Sequence, residues 1–190
     1  GIGKDALSAL TSGAGNVAVG YQSGDAMDSQ AGCTLIGYNA GTEITHDDAV
    51  GTTAVGWSAC ENITSGQQNT AVGYSALKAN GTGDGNTAVG FNALLTCNVN
   101  ESYHTAIGAN ALTLVDNNGT NGNTAVGYNA GNVLTTGSEN TIVGYDSDTD
   151  DNSATNQTVI GSQTTGVADN SVTLGNADVT AVYMASDSGA

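Results

Sequence analysis

Short stretches of alternating side chains recur along the whole chain. A typical copy runs from Asn69 to Ala76 and reads Asn-Thr-Ala-Val-Gly-Tyr-Ser-Ala. In an extended segment its Thr and Val point to one side and its first Ala points to the other. This period of two predicts a short β-strand, and the stretch is too short for a helix. A glycine then follows the strand and predicts a corner in the chain.

The motif returns at nearly constant spacing, which decides the fold class. Eleven glycines mark it, with gaps of 17 to 19 residues except for a last gap of 14. They are Gly3, Gly20, Gly37, Gly56, Gly73, Gly90, Gly108, Gly127, Gly144, Gly161 and Gly175. One such unit cannot bury its own apolar side, whereas a stack of units can. The sequence therefore predicts an all-β solenoid of about eleven coils, stacked about 4.8 Å apart.

Each coil is expected to hold two strands, the second being a short apolar stretch such as Ala76-Leu77. The residue before the glycine is almost always β-branched, so we expect it to fill the interior, together with the Thr two positions earlier. This predicted core column is Val19, Ile36, Val55, Val72, Val89, Ile107, Val126, Val143, Ile160 and Leu174. A column of small residues is the expected contact between subunits. It contains Ala40, Ala59, Ala76, Ala93, Ala111 and Ala130, with Ser23 and Ser147.

An aromatic column follows the glycines. Its members are Tyr21, Tyr38, Trp57, Tyr74, Phe91, Tyr128 and Tyr145. Aromatic rings favour burial, so one interpretation is that they seal a subunit interface or cap the core. The alternative is an exposed platform on which glycans stack, with Tyr38, Trp57 and Tyr74 as its centre.

Charge excludes several classes of partner. The net charge is −16, and Lys4 and Lys78 are the only cationic side chains apart from two histidines. Nucleic-acid binding needs a basic stripe, and an anionic membrane surface would repel the chain. No apolar run of 18 residues is visible, so membrane insertion is not expected. The acidity is typical of a soluble exterior, which favours an extracellular location.

Few residues are candidates for chemistry. His46 and His104 lack an evident partner for acid–base work, and His104 occupies the Asn position of its repeat, where a polar turn residue is expected. Asp146, Asp148 and Asp150 alternate in one acidic stretch and form a candidate calcium site, against the alternative of a solvated turn. We expect no other cofactor. The three cysteines, Cys33, Cys60 and Cys97, are either buried thiols or cross-links between subunits.

At the level of motifs, the chain resembles a known class of fibrous proteins. Asn123–Ala130 reads NTAVGYNA and Asn170–Gly175 reads NSVTLG, and both are similar to the head repeats of YadA-type trimeric autotransporter adhesins and to repetitive regions of phage tail fibres. The resemblance covers residues 3–178 and implies a left-handed parallel β-roll in which three chains form one fibre. The segment from Leu174 to Met184 resembles the exit strand of many tail fibres.

These observations predict a repeat domain over residues 1–178 and an exit strand or tail over 179–190, leading to a C-terminal domain outside the sequence. The expected function is a structural or adhesive fibre segment without catalysis, on a virion appendage or a cell surface. Its expected partners are two further copies of the chain and a glycan or protein of the host or cell surface. The alternatives are ice binding by the Thr column and a glycan-degrading enzyme of the tailspike kind, which needs a pair of carboxylates.

Overall fold

The computed structural model describes residues 1–46, 49–97, 100–116 and 122–182, and these form a parallel β-solenoid. One sheet holds every strand of this part of the chain, in sequence order and in parallel. The ten strands, β1 to β10, are Val17–Val19, Thr34–Ile36, Thr53–Val55, Thr70–Val72, Thr87–Val89, Thr105–Ile107, Thr124–Val126, Thr141–Val143, Thr158–Ile160 and Val172–Leu174. Equivalent residues pair across neighbouring strands, as when Thr70, Ala71 and Val72 face Thr87, Ala88 and Val89.

The all-β repeat fold predicted from the spacing is therefore confirmed, with a small change in the count of coils. Ten strands in one sheet make about nine turns rather than eleven. The first motif, around Gly3, contributes only a bridge between Ile2 and Val19 instead of a strand.

The return strand in each coil was wrongly predicted. Ala76-Leu77 and its equivalents form turns, and the second residue of each pair has a left-handed backbone, with φ of 50° at Leu77 and at Leu94. This conformation breaks a strand, yet the turns still pair from coil to coil, since the Leu77 amide donates to the Ala93 carbonyl at 2.9 Å. The coils up to that of Thr124–Val126 thus have one three-residue strand and one hydrogen-bonded turn segment, whereas the next two form an isolated parallel bridge at the Leu77 position, between Asp148 and Thr165.

The interior lies between the strands and these turn segments. The strands contribute their middle residues, namely Ala18, Leu35, Ala54, Ala71, Ala88, Ala106, Ala125, Ile142 and Val159. The turn segments contribute most of the large side chains, namely Met27, Ile44, Ile63, Leu77, Leu94, Leu112, Val115 and Leu134. Large and small residues alternate across the core. Where the strand contributes the large Leu35, the turn segment carries Gly41, and a Cβ at that glycine would lie only 2.8 Å from the Leu35 side chain.

The predicted core column was wrong. Val19, Ile36, Val55, Val72, Val89, Ile107, Val126, Val143, Ile160 and Leu174 lie on the outer face of the sheet, partly or largely exposed. A period of two shows which side chains share a face but not which face is inside. Because Leu77, Leu94 and their equivalents already fill the thin interior, only a small strand residue fits opposite them, so Ala turns inward and Thr and Val turn outward.

The predicted subunit contact was also misplaced. Ala40, Ala59, Ala76, Ala93, Ala111 and Ala130, with Ser23 and Ser147, are completely buried within the coil. They pack under the turn segments, so they are not available to a second chain. The Thr column, expected inside, lies half-buried on the outer face beside the aliphatic side chains.

Candidate functional site

A column of glycines holds the corner between each strand and the aromatic residue that follows it. The Gly73 amide donates to the Val55 carbonyl at 2.8 Å, which pulls the backbones of neighbouring coils together. A Cβ on Gly73 would lie only 2.3 Å from the Gly90 carbonyl oxygen, and φ at Gly73 is 139°. Steric contact and backbone conformation therefore both require glycine here. This fixed corner places the outer strand face and the aromatic column at constant register.

A buried ladder of polar side chains lies at the beginning of the strands, at the position directly before the strand Thr. The Asn69 Oδ1 accepts a hydrogen bond from the Asn86 amide at 2.9 Å, and the Asn86 Oδ1 accepts one from the His104 amide at 2.9 Å. The Asn86 Nδ2 also donates to the Glu101 carbonyl at 2.7 Å. Each asparagine thus satisfies backbone groups of its own coil and the next, which buried polar atoms require.

His104 occupies a position in this ladder, but its ring makes fewer hydrogen bonds there than an asparagine amide does. It is fully buried, its Nδ1 accepts from the Asn123 amide at 3.1 Å, and its Nε2 has no hydrogen-bond partner among the described residues. Burial lowers the pKa of His104 to about 4, so the ring is neutral at physiological pH. The side chain is therefore a ladder member inside the coil, rather than the polar turn residue expected from the sequence.

The outer face of the sheet carries two parallel columns, one of Thr and one of aliphatic residues. Across ten strands with about 4.8 Å between neighbours, this face is roughly 43 Å long. Ile36, Val72, Ile107 and Ile160 are each exposed by 37–42% in the isolated chain. A continuous strip of this kind, with apolar side chains at every coil, is typical of a surface that contacts another molecule.

The aromatic residues form a ladder beside this face. Ring centres are 5.1 Å apart for Tyr21 and Tyr38, 4.1 Å for Tyr38 and Trp57, 6.4 Å for Trp57 and Tyr74, and 5.4 Å for Tyr74 and Phe91. All four pairs are stacked, so neighbouring rings cover both faces of Tyr38, Trp57 and Tyr74, and solvent reaches their edges. A sugar stacks on an open ring face, so this geometry does not favour these three residues as a glycan platform.

The acidic stretch does not gather its carboxylates. The Asp146 Oδ1 accepts from the Asn129 Nδ2 at 3.3 Å, Asp148 accepts from the Val133 amide at 3.2 Å, and Asp150 accepts from Gln157. Burial raises the pKa of Asp148 to about 6. The three candidate calcium ligands thus have three different partners. Nowhere in the described ranges do three or more His, Cys, Asp or Glu side chains gather in a way that could hold a metal ion.

All three cysteines are free thiols with no exposed surface. Cys33 replaces an asparagine of the buried ladder, Cys60 occupies the position of Leu77, and Cys97 occupies that of Met27. Burial raises the pKa of each thiol, which suppresses the reactive thiolate. The structure therefore supports the buried-thiol interpretation and not the cross-links between subunits.

The asparagine ladder is the structural feature that the sequence interpretation missed. Its signal was present, because a polar residue precedes the strand Thr at Asn69, Asn86, Asn123 and Asn140. Identical amides at constant register in a parallel stack are typical of a buried ladder. The position was instead assigned to a polar turn.

No family model, no curated protein and no solved structure matches this chain. The part of the chain that the structure describes also contains no helix long and apolar enough to span a bilayer.

Proposed function

We propose that this chain is a segment of an attachment fibre, in which copies associate side by side through the outer face of the sheet. The fibre belongs to a phage tail or to a cell-surface adhesin, functions outside the cell, and carries a surface that recognises a glycan or protein of its target. It performs no catalysis. The motif resemblance supports this assignment, along with a left-handed coil and a homotrimer.

The observation that carries the proposal is the outer aliphatic column. Ten Val, Ile and Leu side chains stand in register at every coil, partly or largely exposed to water in the single chain. Burial of apolar surface contributes about 25 cal/mol per Å², so covering this column is a continuous driving force for association. Because the column repeats at the spacing of the strands, a second copy of the chain presents a complementary column over the whole length.

A slender coil also gains from association. One coil encloses mostly Ala and one or two larger side chains, so the ratio of surface to buried volume is unfavourable. Three chains that bring their outer faces together create a second apolar core along the fibre axis. The inner core stabilises the fold of each chain, and the shared core stiffens the fibre.

The mass in solution tests this proposal. Light scattering or sedimentation should give three times the chain mass of 18.7 kDa. Replacing Val55, Val72 and Val89 together by Asn should shift the species to the monomer mass, because three polar groups would enter the shared core. Val133→Asn is the matched control, since Val133 is exposed but lies in a turn segment away from the sheet. A wild-type chain that stays monomeric at high concentration would contradict the proposal.

One observation favours a second candidate, ice binding. The sequence predicted that the Thr column and the aliphatic column both fill the interior. The structure instead places them together on the outer face, with parallel register from strand to strand. A monomeric species that shows thermal hysteresis, lost on substituting Thr70 and Thr87 by Lys, would support ice binding over the fibre assignment.

A further inference from the structure

The aromatic ladder is interrupted at a single coil in its middle. Where the neighbouring coils carry Phe91 and Tyr128, the coil between them carries Ala109. The ladder stacks from Tyr21 to Phe91 on one side and from Tyr128 to Tyr145 on the other. One face of Phe91 and one face of Tyr128 therefore lack the ring contact that every interior member of the ladder has.

The backbone continues without interruption through this gap. The Asn110 amide donates to the Phe91 carbonyl at 2.8 Å, and the Asn129 amide donates to the Ala109 carbonyl at 3.0 Å. Strand Thr105–Ile107 pairs in register with the strands on both sides. Because the coils keep their normal spacing, the gap equals one missing ring, and the two open faces lie about 10 Å apart.

A space of this width fits one ring. Stacked aromatic rings lie about 4.5–7 Å apart between centres, so two stacking contacts of about 5 Å span the gap. A pyranose ring can fill it equally well, since its two faces present C–H groups that pack against aromatic rings. The gap thus differs from the rest of the ladder, where Tyr38, Trp57 and Tyr74 have no free face.

Polar groups suited to sugar hydroxyls lie next to the gap. A shallow cavity of about 360 Å³ is lined by Asn110, Thr113, Leu114, Asn129 and Asn132. Asn110 directly follows Ala109 and Asn129 directly follows Tyr128, so the cavity begins one residue beyond the missing ring. The Asn110 Nδ2 donates to the Asn129 Oδ1 at 3.1 Å, and each of the two amides keeps one N–H and an oxygen lone pair for a sugar hydroxyl. Leu114 adds one apolar side chain to the lining. A few polar groups around an apolar surface are typical of a small-molecule site.

The charge near the cavity indicates which class of sugar can bind there. Lys4 and Lys78 are ion-paired with Asp5 and Glu61, and the chain has no other Lys or Arg. Asp146 accepts a hydrogen bond from the Asn129 side chain, which puts negative charge at the edge of the cavity. A sialic or uronic acid would be repelled, whereas a neutral sugar would not.

We propose that the gap over Ala109 is a binding site for one neutral hexopyranose unit of a glycan, held between the ring faces of Phe91 and Tyr128, with its hydroxyls toward Asn110 and Asn129. Its role as the receptor site rests on the proposed attachment function. Binding itself requires only the coils around Ala109.

Saturation-transfer NMR with the methyl pyranosides of glucose, galactose and mannose, and with sialic acid as the anionic comparison, tests the site. At least one neutral sugar should receive saturation at its ring C–H protons, and sialic acid should not. Ala109→Tyr should remove the signal, because the new ring completes the ladder and fills the gap. This variant should keep or raise the melting temperature, so a loss of binding is not a loss of folding.

Two further variants complete the experiment. Phe91→Ala should weaken binding at least tenfold by removing one ring face, and Tyr21→Ala, at the far end of the ladder, should leave it unchanged. The site is disproved if no neutral sugar binds or if Ala109→Tyr binds as well as the parent chain. The mass in solution is measured on the same samples. A monomer that binds sugar contradicts the fibre proposal alone, and a trimer that binds none contradicts the sugar site alone.

Discussion

The glycine column and the aromatic column beside it tolerate variation to different degrees. A glycine follows each of the ten strands without exception, whereas a buried amide occupies the ladder position before only five of them. Outside, the position after the glycine is Tyr, Trp or Phe in seven coils but Ala109, Ser162 or Asn176 in others. The difference follows from the contacts, since a Cβ at the glycine corner would meet the backbone of the next coil, whereas an aromatic side chain lies largely exposed beside its neighbours' rings. A change of residue type is therefore excluded at the glycine corner and tolerated in the aromatic column.

The largest effect is expected at the glycine corner. Gly73→Ala should lower the free energy of unfolding by about 3–5 kcal/mol, because the new Cβ meets the Gly90 carbonyl at 2.3 Å and the backbone is strained as well. Urea unfolding followed by circular dichroism measures it. Gly32→Ala is the control, with φ of 70° but no atom closer than 3.9 Å, and should cost about 1 kcal/mol. Equal losses in the two variants would show that close contact does not set the constraint.

A smaller loss is expected within the asparagine ladder. Asn86→Ala removes the acceptor of the His104 amide and the donor to the Glu101 carbonyl, both of them buried. Two unsatisfied groups should cost about 2–4 kcal/mol in the same urea experiment. Asn152→Ala, on the exposed surface, should change stability by less than about 0.5 kcal/mol. If Asn86→Ala behaved like Asn152→Ala, the ladder would not contribute to stability.

Restoring the ladder at His104 should stabilise the chain. His104→Asn should gain about 1 kcal/mol at pH 7, because an amide replaces a ring whose Nε2 has no partner. The pKa of His104 is about 4 when folded and 6.5 as a free side chain, so the unfolded chain binds the proton more tightly. Wild-type stability should therefore fall as pH drops from 6.5 towards 4, and the advantage of the variant should grow.

Melting temperatures at pH 7.5 and pH 5 check this prediction. His46→Asn, at an exposed position, is the matched control and should show no such growth. A constant difference between His104→Asn and wild type across this range would mean that burial does not shift the pKa of His104.

The smallest effect is expected at the acidic turn. Burial raises the pKa of Asp148 to about 6 from its ordinary 3.8, so ionisation of this carboxyl opposes folding. Asp148→Asn should raise the melting temperature by a few degrees at pH 8, and this gain should disappear by pH 4, where wild-type Asp148 is protonated in the folded chain. Asp178→Asn, which is exposed, should show no gain at either pH. A gain that persists at pH 4 would indicate better packing rather than relief of a buried charge.

The sequence predicted the strands and corners because spacing and glycine position are local signals. It did not predict which face of the strand is inside, because a period of two is the same in both orientations. The alternation is equally compatible with Val72 inside and Ala71 outside or with the reverse. The interior volume decides between them. Part of that volume is filled by Leu77, which lies in the turn segment after the strand. The turn itself was mistaken for a strand because nothing in Ala76-Leu77 signals a left-handed backbone at a leucine.

The candidate site was less predictable than the fold. The aromatic residues were recognised, but stacking covers the ring faces of Tyr38, Trp57 and Tyr74, and only three-dimensional geometry reveals this. The break at Ala109 is visible in the sequence as one missing aromatic residue. It gains meaning only when the coils on both sides are known to keep their spacing.

The in-register pairing of each strand with only its immediate neighbours has a consequence for how such a chain can evolve. Duplicating or deleting one complete repeat leaves every surviving column continuous, because each coil contacts equivalent positions above and below. The reach of the molecule can thus lengthen or shorten in steps of about 4.8 Å. Recombination between repeats would change the length of the solenoid while leaving the outer face and the aromatic column of the remaining coils intact.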